Sequence, residues 1–204
     1  MNCDFLNLRE KIRYYMSEKR YVHTLGVESS AREIARYCLP DRIDEVAVAA
    51  LLHDIAKERP KEEQREFALL SGFAVTEDDL LTVPALHSFA APYLIKSDFP
   101  QLASEDILSA TFRHTVADPE MSIFDEIVFV ADYVEENREY VHCKEMRRLL
   151  FSALSLENSY SDNIRALHEV LIKIIDFTID FLNKRNLKVN ERTILTRNAF
   201  KALI

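Results

Sequence analysis

Apolar residues recur along this chain at steps of three and four, the spacing of one helix face, and polar or proline breaks separate the segments. The pattern predicts a short opening helix from Phe5 to Met16, then a helix capped by Ser17 and running to about Tyr37. Pro40-Asp41 ends that stretch, and Asp41 is placed to cap a helix from Arg42 to about Glu58. Pro60 leads a polar helix to Leu70, which Ser71-Gly72 closes. Pro84 opens another helix, in which Pro92 should produce a kink for want of an N–H. Further helices are predicted from Ser104 to about His114, Ser122 to about Asn137, Lys144 to Ala153, Asp162 to Lys184 and Glu191 to Leu203. Asp118-Pro119 marks a loop, and no repeat, low-complexity tract or long linker divides the chain. The expected fold is all-α, a single-domain helical bundle spanning residues 1–204. Its core covers about 18–140, and C-terminal helices over about 143–204 pack on it.

Composition strengthens the helical reading. The 204 residues include two glycines, Gly26 and Gly72, where average usage of about 7% would give roughly 14. Few positions are then cheap at positive φ, and no glycine-rich phosphate loop occurs. Acidic residues outnumber basic ones, 34 to 26, for a net charge of −8. That balance argues against a nucleic-acid partner but leaves room for a few convergent cations on a small polyphosphate. Cys3, Cys38 and Cys143 form no C-x-x-C pair, which fits a reducing cytoplasm better than a disulfide framework or a thiolate zinc site. No signal peptide is visible, and the apolar run Val170 to Leu182 is broken by Lys173, Asp176 and Asp180. It is too short and too charged to span a bilayer, so a soluble, cytoplasmic protein without a membrane partner is expected.

Polar residues interrupt faces that should be apolar. Val27, Ala31, Ile34 and Cys38 form a stripe that extends backwards through His23 and Arg20. Ile43, Val46, Ala47 and Ala50 form another that continues forwards through Asp54 and Lys57. The run Val46 to Leu52 is apolar all round, which marks a buried central helix, and His53-Asp54 follows it directly. His114 continues the Ile107, Ala110, Thr111 face; Asp132 sits inside Ile127 to Val134; His87 follows Leu86. A buried carboxylate or guanidinium is too costly to keep unless it is paired or binds a metal, so these intrusions are expected to meet at one site. His142 and His168 are read as hydrogen-bonded core histidines, and Asp132 could pair with Arg20 or Arg138.

In this order, His23, then His53-Asp54, then Asp132, the chain resembles the HD-domain metal-dependent phosphohydrolases. The finer resemblance is to the symmetrical bis(5'-nucleosyl)-tetraphosphatases. It runs through Arg20 to Val27, Leu51 to Lys57, Leu86-His87, Arg113-His114-Thr115, Met121-Ser122, Val130 to Glu135 and Asn137-Arg138, with Thr193 and Arg197-Asn198 near the end. Three departures from the family pattern lie near the expected nucleotide pocket: Ser88 and the loop Val116-Ala117-Asp118-Pro119, where glycine is usual, and Glu136, where proline is.

The resemblance implies an HD-type helical bundle that cleaves diadenosine tetraphosphate into two ADP. It implies metal ligands at His23, His53, Asp54 and Asp132. This mixed nitrogen and oxygen set suits iron, manganese, cobalt or zinc, of which the resemblance favours iron. Asp54 also orients the water, Arg20 and Lys57 clamp phosphate, and His87 and His114 contact its oxygens. Thr115 donates to phosphate and Arg138 grips the nucleotide end. Asp54, Lys57, His87 and His114 are thus the expected catalytic residues, and His23 and Asp132 share the substrate-facing wall. The implied partner is a small dinucleoside polyphosphate, and a homodimer is compatible with the reading. Two alternatives are another nucleotide substrate, such as a nucleoside monophosphate or guanosine polyphosphate, and a catalytically silent nucleotide-binding module.

Overall fold

In the computed structural model, residues 3–203 are described. Among them are eleven α-helices joined by short connections and no strand. Helix α1 covers Phe5–Ile12 and tightens into a 3-10 turn at Arg13–Tyr15. Ser17 starts α2, Glu18–Cys38, and its hydroxyl accepts from the Arg20 amide.

The next helix departs from expectation at both ends. Pro40–Arg42 is a separate 3-10 turn, so Asp41 lies before the helix and caps nothing; α3 is Ile43–Leu52. It stops short of Glu58 because the His53 ring takes the Ala50 carbonyl that the Asp54 amide would use in a continued helix, Nδ1 to O 2.6 Å. Three-residue turns follow, Ile55 N to Leu52 O, Lys57 N to Asp54 O and Arg59 N to Ala56 O. Every residue from Val46 to Leu52 is fully buried, so α3 is the central helix that its all-round apolarity predicts.

After it come α4 (Lys61–Leu69), α5 (Glu77–Leu81), α6 (Leu86–Asp98), α7 (Glu105–Arg113) and α8 (Ile123–Val134), of which α7 and α8 pack on α3. Gly72, at φ 85°, turns the chain after α4. Pro92 lies inside α6 and removes one donor from its ladder. Ser104 precedes α7 without making a capping bond, whereas Ser122 and Asp125 form a full capping box on α8. Helix α5 has no counterpart in the sequence reading; Thr76 and Asp79 cap it reciprocally.

The chain continues with α9 (Val141–Ala153), three residues longer at its start than predicted, α10 (Tyr160–Lys184) and α11 (Glu191–Lys201). Helix α2 packs on α3 and α8; α6 packs on α4 and α7; α10 packs on α8, α9, α11 and α2. No helix among the described residues is long and apolar enough to cross a membrane.

Candidate active site

The polar intrusions meet. His23 from α2, His53 and Asp54 from the end of α3, His87 from the start of α6, His114 just beyond α7 and Asp132 near the end of α8 share one pocket at the centre of the bundle. His53, Asp54, His87 and His114 are buried, so none is a solvated helix end.

Three histidines are oriented by one local device. His53 Nδ1 lies 2.6 Å from the Ala50 carbonyl, His87 Nδ1 3.0 Å from Pro84 and His114 Nδ1 2.7 Å from Thr111, each three residues earlier. A carbonyl only accepts, so each Nδ1 carries the proton and each Nε2 presents a lone pair to the pocket. His23 is held by a carboxylate instead, with Nδ1 3.1 Å from Glu135 Oε1. Gly26 makes that contact possible: a Cβ there would overlap Glu135 Oε2 and come within 2.9 Å of Asn137 Nδ2. Arg147 in turn donates to the Val134 and Glu135 carbonyls that α8 leaves free at its end.

His23 Nε2 is 3.0 Å from Asp132 Oδ1 and 3.9 Å from Asp54 Oδ2; His53 Nε2 is 3.4 Å and 3.8 Å from Asp54 Oδ2 and Asp132 Oδ1. His23 Nε2, His53 Nε2 and Asp54 Oδ1 are buried without a hydrogen-bond partner. Such convergent, orphaned lone pairs are costly for a protein alone and fit a divalent cation, which all of them can face. His23, His53 and Asp54 place one donor atom each within 4.8 Å of the others, and so do Asp54, His87 and His114, so Asp54 belongs to both groups. Asp132 completes the wall beside the first group.

The electrostatics agree with a cation site. Burial would push the Asp54 carboxyl up, but His53, His114 and His87 outweigh it and hold it well below the usual carboxylate range. Burial also opposes ionisation of Asp132, and Arg138 and His23 overcome it. Burial takes His87 down to about 3 and also lowers His114, while Asp54 pulls each of them the other way. Their Nε2 atoms face each other at 3.1 Å with Asp54 Oδ1 at 3.2 and 3.6 Å, an arrangement that a cation or a shared proton relieves.

The expected cations line the same pocket. Arg20 Nη1 donates to Asp54 Oδ2 at 2.7 Å, while its Nε is buried without a partner. Arg138 donates to Asp132 Oδ1 at 2.5 Å and to the Asp132 carbonyl. Of the two pairings open to Asp132, the structure thus forms the one with Arg138. Lys57 Nζ is 3.1 Å from His87 Nε2 and 4.0 Å from Asp54 Oδ1. Thr115 Oγ1 lies 3.1 Å from His87 Nε2. A cavity of about 710 Å³ opens in front of His23, walled by Arg20, Arg138, Asn137 and Tyr140.

The loop carrying His114 and Thr115 is tied from a distance. Ala117, in the loop Val116 to Pro119, has φ 65° and donates to the Arg113 carbonyl. Thr193 donates to the Val116 carbonyl, and Arg192 pairs with Asp118 at 2.6 Å and Asp79 at 3.0 Å. The two histidines read as core residues separate: His168 pairs with Glu126 at 3.0 Å, whereas His142 is half-buried in a cavity wall.

The HD domain family matches residues 20–137. The chain is 32% identical over 188 residues to the symmetrical bis(5'-nucleosyl)-tetraphosphatase of Bacillus subtilis, covering 92% of each chain. It is 30% identical to the protein of that name from Halalkalibacterium halodurans, covering 92% of this chain and 91% of the relative. Among solved structures, a predicted HD superfamily hydrolase involved in NAD metabolism from Clostridium acetobutylicum superposes with a TM-score of 0.83. That pair is 26% identical and each chain is covered in full.

Proposed function

The chain belongs to the HD domain family, and on that premise we propose that it is a metal-dependent phosphohydrolase cleaving diadenosine tetraphosphate symmetrically into two ADP. The observation that carries the reading is the convergence of orphaned His23 Nε2, His53 Nε2 and Asp54 Oδ1 beside Asp132, ringed by Arg20, Lys57 and Arg138. His23, His53, Asp54 and Asp132 would hold the metal, with iron favoured by the family resemblance and manganese, cobalt and zinc compatible with the donors. A bound divalent metal supplies a water whose pKa is lowered from 15.7 to about 7.

The chain's own residues do the rest. Arg20 keeps its Nε and second Nη for phosphate while Nη1 steadies Asp54. Lys57 presents an ammonium beside His87, where it can neutralise charge on the leaving phosphate. Asp54 accepts from Arg20 and is turned towards both histidine groups, which suits it to orient a water as well as a cation. His87 and His114 present lone pairs, so contact with a phosphate oxygen there requires a proton at Nε2. Thr115 can donate to phosphate, and Arg138 fixes Asp132 and lines the cavity that the nucleotide would enter. The acidic surface supports a small-molecule partner rather than nucleic acid. Three free cysteines support a reducing, cytoplasmic setting.

Chromatography of the products from diadenosine tetraphosphate tests the reading. ADP alone is expected. Equal ATP and AMP would place the cut at an outer anhydride, and turnover of mononucleotides only would move the substrate class.

A further inference from the structure

His114 and Thr115 stand on a turn, Arg113 to Asp118, whose shape its own residues do not secure. Ala117 has φ 65°, a left-handed conformation that a residue with a Cβ keeps only where its surroundings over-determine it. The turn is first closed on itself. The Ala117 amide donates to the Arg113 carbonyl at 3.1 Å, and Arg113 Nε lies 3.7 Å from Asp118 Oδ1. The closed turn presents His114 Nε2 and Thr115 Oγ1 to the pocket, each 3.1 Å from His87 Nε2.

The outer hold comes from the first turn of α11. Thr193 Oγ1 donates to the Val116 carbonyl at 2.8 Å, a buried bond. Arg192 Nη1 donates to Asp118 Oδ2 at 2.6 Å, while its Nε faces both oxygens of Asp79 at 3.1 Å. Arg113 is shared in the same manner, with Asp118 on one side and Asp125 of α8 at 3.2 Å on the other. Asp118 therefore faces both guanidiniums, and it is buried, as are Asp79 and Asp125. Three buried carboxylates alternating with two guanidiniums gain little stability over apolar packing of the same volume. What the array does fix is geometry, in the turn that carries His114 and Thr115.

Resting on the proposed reading of His114 and Thr115 as phosphate contacts, we propose that Asp118, gripped by Arg192, is a positioning residue for hydrolysis. It holds the turn so that both polar tips meet the phosphate chain already oriented, and through it α11 becomes part of the working site. A contact displaced by about 1 Å can cost on the order of a hundredfold in rate. Asp118→Asn is the test, because each arginine keeps its other carboxylate and the amide oxygen still accepts from the Glu120 amide. On metal-loaded protein with diadenosine tetraphosphate, kcat should fall about tenfold to a hundredfold, with KM within a few-fold and metal content unchanged. In a His114→Ala, Thr115→Val background the same change should cost less than about twofold, since the contacts it positions are gone. Thr193→Val removes the second hold without touching a charge; it should repeat the kcat loss, and Thr193→Ser should restore the rate. Hydrogen exchange read by mass spectrometry needs no turnover. Residues 113–119 of Asp118→Asn should exchange roughly tenfold faster, while α3 and α8 keep the parent's rates. A kcat within about twofold of the parent in both Asp118→Asn and Thr193→Val would overturn the proposal, as would unaltered exchange in the turn. An equal loss in the background lacking His114 and Thr115 would also overturn it, leaving the array as a support of the fold. A parent that leaves diadenosine tetraphosphate intact would sink the proposed function instead. Pyrophosphate affinity of the metal-loaded proteins, read by calorimetry, then replaces kcat in the same comparison.

Discussion

Lys57 ligates nothing in the proposed site, yet it reaches His87 and stands 4.0 Å from Asp54. Burial lowers its pKa from the ordinary lysine value, so its charge is held where water screens it poorly. A preorganised donor facing a developing phosphate charge is typically worth about 2.7–4 kcal/mol, on the order of 10²–10³ in rate. Lys57→Ala should therefore keep its metal and its melting temperature and lose that much kcat. Steady-state kinetics on metal-loaded protein checks this, and a rate within a few-fold of the parent would reduce Lys57 to a stem covering apolar surface. Residues such as His53 and Asp54 were readable from sequence because a charge inside an apolar run has few explanations. Glu135 was not, although it fixes the His23 ring. It follows the apolar stretch of α8, where a carboxylate looks like ordinary solvated surface, and its reason for being there is Gly26, 109 positions earlier in a different helix.

Helix periodicity was legible wherever a cap and an apolar stripe agreed, as at Ser17 with α2 and Ser122 with α8. It failed where a side chain competes with the backbone. His53 ends α3 by taking the Ala50 carbonyl, a contact invisible in the pattern of apolar positions. The five-residue α5 was too short to show a period, and only its Thr76 and Asp79 capping box signals it. That helix matters because Asp79 anchors Arg192 of α11, which also holds Asp118 beside the His114 loop. Burial acts against ionisation of Asp79, but Arg192, the Thr76 amide and Asn190 outweigh it, and the folded pKa lies below the ordinary 3.8. A depressed carboxylate pKa contributes stability that is present above the unfolded value and lost as pH falls from there through the folded value. Asp79→Asn should thus cost about 1.5–3 kcal/mol at pH 7. The difference from the parent should shrink below about pH 4 in urea denaturation followed by circular dichroism. A gap that stays constant down to pH 3 would show that the carboxylate charge plays no part in the clasp.

At the scale of the whole molecule, five helices (α2, α3, α6, α7 and α8) each deliver a ligand-type side chain to a centre that is also the middle of the bundle. The all-α class and the membership of the centre followed from sequence, because polar intrusions into several apolar faces can only be satisfied together. The cavity between α9 and α10 did not follow, since His142 sits on α9 and Phe177 and Phe181 on α10, and no spacing along the chain joins the two helices. The central position has a further consequence. The orphaned lone pairs of His23, His53 and Asp54 lie among the helices that make up the core and converge only when the chain is folded, so an ion held there binds the folded state alone. Mass action then makes the melting point a gauge of metal: an ion at a hundred times its Kd adds about 2.7 kcal/mol, or about 5–10 °C for a chain of this length. Chelation should lower the melting temperature by that amount and restoring the ion should recover it, as read by scanning calorimetry. If the melting curve ignores the chelator, the centre is a polar core and not a binding site. Otherwise the cell's metal supply sets not only how fast this protein works but how much of it survives unfolded-protein turnover.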